Sequence, residues 1–154
     1  MRSLFSWISL ITFLAVGFAI GSEITPSRGH HPQEPSKTGA VVDDYANFIK
    51  RLRAAGVAPL AGGRVEQPFF SITGTMIKVY GEDVQVFAYA DAAAADAAAA
   101  PISPDGMAVG TRKIFWVGAP HFFKQGRLLI LYVGDNEKVL GALAVVLGRQ
   151  FAGR

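Results

Sequence analysis

Three histidines are the side chains here that ordinarily titrate near neutral pH, and they do not gather. His30-His31 sit together between prolines, and His121 stands between Pro120 and Phe122. A metal centre needs several His, Cys or carboxylate groups meeting at one point; cysteine is absent and the His30-His31 pair is far from His121 in sequence. The acidic pairs Asp43-Asp44 and Glu82-Asp83 are adjacent residues, which point in different directions on a helix or strand and so make poor general acid/base partners. Asp135-Asn136-Glu137 is too short for a calcium loop, and Ser71 has no His or Asp near it in sequence to activate it. The nucleophile elbow, phosphate loop and dinucleotide fingerprint are all missing. No residue is therefore assigned to catalysis, and no metal or cofactor is expected. The enzymatic alternative is a hydrolase in which His121 works with a distant carboxylate, Asp135 or Glu82.

What the chain offers instead is aromatic side chains, 11 Phe, 4 Tyr and 2 Trp. In the run Thr75 to Tyr80, Met76, Lys78 and Tyr80 alternate onto one face and Ile77 and Val79 onto the other. Its partner, Val84 to Tyr89, separates Val84, Val86 and Ala88 from Gln85, Phe87 and Tyr89. With the aliphatic sets turned to the helices, Tyr80, Phe87 and Tyr89 share a partly exposed sheet face, joined by Trp116 or Phe115. Rings with a polar tip on such a face suit a peptide, glycan or protein partner, and Tyr80, Phe87, Tyr89, Trp116 and His121 are the candidate ligand-binding residues. The plainer account of the same rings is cross-strand pairing over a thin sheet.

The elements that must hold these rings follow from periodicity. Val41, Tyr45, Phe48, Ile49 and Leu52 form one helical face ending at Gly56, with Thr38 or Asp43 as alternative caps. Gly81-Glu82-Asp83 between the two β-rich runs signals a hairpin. Asp91 precedes an alanine run that Pro101 must stop, which predicts a helix of small buried area. Ser103-Pro104-Asp105-Gly106 reads as a type I turn. Leu128 to Val133 is apolar on both faces, the mark of a central strand. Asp135 is the expected cap of a last helix with Val139, Leu140, Leu143, Val146 and Leu147 inward, closed by Gly148. The predicted fold is α+β: an antiparallel sheet of four or five strands with helices on one face, in an αββαββα-like order.

Ahead of this domain, Leu4 to Ile20 carries no charge and follows Met1-Arg2. A span needs roughly 20 apolar residues and a signal core about 7 to 15, so this run fits either a cleaved signal peptide or a retained N-terminal membrane anchor. Arg2 inside and Glu23 beyond place the remainder on the outer side, in the cell envelope or secreted. Residues 1–21 are thus read as signal or anchor, 22–40 as a flexible tether with three prolines, and 41–154 as a single α+β domain. The net charge of +3 is too small and too dispersed for a phosphate-binding stripe, so no nucleic-acid partner is expected. Contact with the membrane is expected only through the N-terminal segment, and the partner sought is an envelope protein or ligand.

Gln67-Pro68-Phe69-Phe70-Ser71, Gly81 to Phe87, Tyr89-Ala90-Asp91, Ser103 to Gly106 and Pro120-His121-Phe122 resemble a group of small uncharacterised bacterial exported proteins, with coverage from Asp43 to Gly153. The resemblance implies an exported location and a compact α+β domain, and it brings no established activity. Members of that group often follow a lipoprotein leader; this chain has no lipobox cysteine to carry the lipid.

Overall fold

The computed structural model describes residues 37–154, with side chains from residue 44 onward. The leader, and the tether up to residue 36, lie outside the described residues. Helix α1 spans Lys37–Ala54, so it reaches N-terminal of Val41, and Thr38 and Asp43 both lie within it rather than at a cap. Among the described residues no helix is long and apolar enough to cross a membrane.

Six strands form one antiparallel sheet: β1 (Leu60–Val65), β2 (Gly74–Val79), β3 (Glu82–Ala88), β6 (Pro120–Gln125), β7 (Leu128–Val133) and β8 (Ala152–Gly153), in the order β1-β2-β3-β7-β6-β8. Strands β4 (Ala108–Val109) and β5 (Arg112–Lys113) make a separate small hairpin, and helices α2 (Ala92–Ala99) and α3 (Glu137–Leu147) complete the fold. The α+β class and antiparallel pairing agree with expectation; the sheet is larger, because two-residue β8 carries too little pattern to read in advance. Apolar on both faces, β7 lies between β3 and β6. Pro120 opens β6, where its missing N–H costs least.

The helices do not share one face, which corrects the predicted layering. Ile77, Val79, Val84, Val86, Phe123, Ile130 and Tyr132 point to α1 and α3, where Phe48, Leu52, Val139 and Leu143 complete a buried cluster. On the opposite face Phe87, Phe122, Leu129 and Leu131 pack under α2 and its flanking loops, with Phe70, Ala95, Ala99, Ile102 and Val109. Period-2 alternation assigned the side chains to faces correctly, but α2 and the loops cover the second face. Alanine makes that cover feasible: with methyl side chains, α2 approaches the sheet closely and buries only Ala95 and Ala99.

Local chemistry sets the ends. Asp91 caps α2, its carboxylate accepting from Ala94 N–H at 2.8 Å. At α3 the cap is Asn136, accepting from the Lys138 N–H at 3.1 Å, rather than Asp135. The β2–β3 turn consists of Tyr80 and Gly81, both left-handed (φ 52° and 87°), with Val79 opposite Glu82. This is the primed geometry that suits a two-residue hairpin, so Glu82 and Asp83 belong to β3 rather than to the loop. Ion pairs tie the layers, Arg127 to Asp44 at 2.7 Å on the α1 side and Lys124 to Asp96 on the α2 side.

Among the described residues two buried side-chain atoms lack a hydrogen-bond partner, His121 Nε2 and the Tyr89 hydroxyl. The Tyr89 hydroxyl is buried and finds no hydrogen-bond partner among the described residues, and burial pushes its pKa up to about 12. Tyr89→Phe is expected to raise stability by about 1 kcal/mol at neutral pH, since an unpaired buried hydroxyl is removed and the ring kept. Above pH 10 the unfolded tyrosine loses its proton while the folded one retains it, so the wild type loses stability as pH rises from 10 to about 12. Urea denaturation of both proteins across that window should show the gap widening, by about 2 kcal/mol at most. A constant gap would refute the assignment.

Candidate functional site

The second sheet face is not covered uniformly. Where α2 and its loops end, Met76, Gln85 and Val133 remain as the floor of an open groove of about 690 Å³. One wall is Gln67 to Phe69, in the segment that joins β1 to β2; the other is the strap Arg112 to Val117, which starts with β5 and bends at Val117 on its way to β6. Glu82 and Asp83 stand at the rim, and Asp83 is paired with Lys78 at 2.7 Å.

Trp116 fixes the strap. Its indole Nε1–H donates to the Gly106 carbonyl at 2.8 Å, and its ring meets Phe69 and Phe122 edge to face at 5.9 Å and 6.0 Å. The Gly106 carbonyl belongs to the turn foreseen at Ser103 to Gly106, closed by the Gly106 N–H to the Ser103 carbonyl at 2.8 Å. Asp105 is clamped there by the Ser103 hydroxyl and the Met107 N–H, which hold its carboxyl below the ordinary range. From Trp116 the rings run inward, Phe69 against Phe70 at 4.7 Å and Phe70 against Phe87 at 4.6 Å, all edge to face. Arg112 donates to the Pro68 carbonyl at 3.2 Å and Gln67 to Gln85 at 2.8 Å, tying the opposing wall to the strap and to the floor.

Alternation along the strap turns Ile114 and Trp116 inward and leaves Phe115 and Val117 outward, at 95% and 103% exposure. These two exposed apolar side chains stand beside the groove and make its rim a candidate contact surface. The lining mixes apolar side chains with Gln67, Gln85 and the charged Glu82, Asp83, Arg112 and Lys113. Among the described residues no cluster of three His, Cys, Asp or Glu could hold a metal.

The five candidate residues are dispersed. Phe87 and Tyr89 are enclosed, at 0% and 3% exposure, so the expected aromatic sheet face is not a surface. Tyr80 projects from the β2–β3 turn, half exposed. Trp116 alone lines the groove. His121 is buried and stacks on Tyr132 at 6.0 Å, Nδ1 lying 2.7 Å from Gln150 Oε1. Its Nε2 has no partner, and neither Asp135 nor Glu82 bonds to it, so the pairing a His121 hydrolase requires is not among the described hydrogen bonds. Met76 and Gln85, assigned in advance to the open side of the hairpin, do floor the groove. The sequence pattern does not single out Phe69 or Val133; for Val117 the signal is its place two residues after Phe115, across Trp116. Compared with protein-family models, curated proteins and solved structures, the chain matches none of them.

Proposed function

We propose that this chain is a non-catalytic envelope domain that recognises a protein partner through the groove beneath the Arg112 to Val117 strap. The observation that carries the reading is the outward pair Phe115 and Val117 beside the floor of Met76, Gln85 and Val133, on a strap held in place by Trp116. The uncharged run Leu4 to Ile20 after Arg2, and the resemblance to small exported bacterial proteins, support placing the domain outside the cytoplasm, secreted or held at the membrane by that run.

Photo-crosslinking in cells tests it. A photoreactive residue at Phe115 is expected to trap a discrete adduct, and the same group at Val145, exposed on α3, is not. Equal adducts at both positions, or none at Phe115, would remove the basis of the reading. A reporter fused after Arg154 tests the location, and activity confined to the cytosol would overturn it.

A further inference from the structure

We infer that the groove takes its partner as an added β-strand, an extended polypeptide with apolar residues at alternate positions, paired along the free edge of the strap. This rests on the groove reading above and specifies the ligand's chemistry and mode.

The argument begins with backbone groups. In the β4–β5 hairpin Ala108 is opposite Lys113 and Val109 opposite Arg112, and the Ile114 N–H bonds to the Met107 carbonyl at 2.9 Å. Antiparallel strands turn the N–H and C=O of alternate residues to opposite sides, so Arg112 and Ile114 direct theirs to β4 while Lys113 and Phe115 direct theirs away. Among the described residues Phe115, Trp116 and Val117 make no backbone hydrogen bond. Neither Ala108 nor Val109 lines the groove, whereas Arg112 to Val117 all do, so the strap meets the groove on the side away from β4. Among the described residues, one wall of the groove is therefore a row of backbone donors and acceptors without partners.

That combination selects among ligands. An acyl chain satisfies the floor and leaves the edge unpaired; an amphipathic helix has its own backbone bonds closed and offers none to the strap. An extended peptide satisfies both, its backbone pairing with the edge and every second side chain meeting Met76, Gln85 and Val133. Exposed strand edges are ordinarily blunted by charge, proline or a covering element. Here Lys113 guards one end, and beyond it the exposed side chains are Phe115 and Val117.

The test is selection of short random peptides against the full-length chain, followed by backbone N-methylation of the peptides obtained. The expected peptides show apolar residues at a period of two, and bind wild type but not Phe115→Asp. Methylation at one set of alternate amides weakens binding roughly tenfold or more, because two or three backbone bonds are lost, while methylation of the other set is tolerated. Peptides of helical period that still require Phe115 overturn strand addition and leave the groove reading intact. Binding unaffected by Phe115→Asp overturns both. Failure to select any peptide overturns strand addition, and the crosslink at Phe115 then decides the groove. A dimer in sedimentation that dissociates on Phe115→Asp assigns the edge to a second copy and overturns the inference.

Discussion

Replacing Phe87 by alanine is expected to lower the unfolding free energy by about 3–5 kcal/mol, a large share of what a domain of this size possesses. Phe87 is fully buried near the C-terminal end of β3, under Phe70 and beside Leu129 across the β3–β7 pair. The surroundings offer little to refill the space. On the adjoining strand Gly74 presents no side chain; a Cβ there would lie 2.7 Å from the Phe87 ring, and Gly74 is itself buried. A cavity bordered by a glycine in a paired strand collapses poorly, which places the cost toward the upper end. The same contact yields a sharper test by double-mutant cycle. Gly74→Ala clashes with the ring in the wild type, and in the Phe87→Ala background its methyl enters the vacated volume. The coupling should favour the double variant by about 0.5–3 kcal/mol in urea titrations. Independent, additive effects would show that the two residues do not share that space.

Trp116→Ala should produce the next largest effect, of a different kind. It deletes two edge-to-face ring contacts and the indole bond to Gly106, at about 3 kcal/mol, the low end for an aromatic truncation because Trp116 is only partly buried. The loss is local. Hydrogen exchange at the Ile114 amide, which holds the strap to Met107, should accelerate strongly, while amides of β7 stay protected. Crosslinking from position 115 should fall with it. Trp116→Phe keeps ring contacts and loses the N–H bond, so it should cost about 1 kcal/mol and leave the strap seated. If β7 amides deprotect in step with Ile114, Trp116 is part of the global core and the strap is not a separable unit.

Legibility divides along the range of the forces involved. The Leu128 to Val133 strand, the capping of α2 by Asp91 and the sharing of faces along β2 and β3 all follow from neighbours a few residues apart, and each is present in the structure. What lies above a face depends on contacts from distant segments. Alternation places Phe87 and Tyr89 opposite the aliphatics, as the structure has them, yet the alanine helix and the strap close over them, and no local pattern announces that a run of methyl groups will serve as a lid. Asp135 and Asn136 are both good caps one residue apart, so only geometry separates them. Tyr80 in a left-handed turn position breaks the usual preference for Asn, Asp or Gly, which concealed the true loop. The groove arises from the meeting of three distant segments, and only the spacing of Phe115 and Val117 about Trp116 hinted at it.

The sheet is secured unequally on its two sides. On one side α1 and α3 contribute large residues such as Phe48, Leu52 and Leu143; on the other α2 contributes two buried methyl groups. Transient opening should therefore be one-sided, beginning at the thin cover, which continues into the segment that supports the strap. A peptide gripping the strap would tighten that weak side first, so occupancy would be registered as a change in how often the molecule breathes rather than as a change of shape.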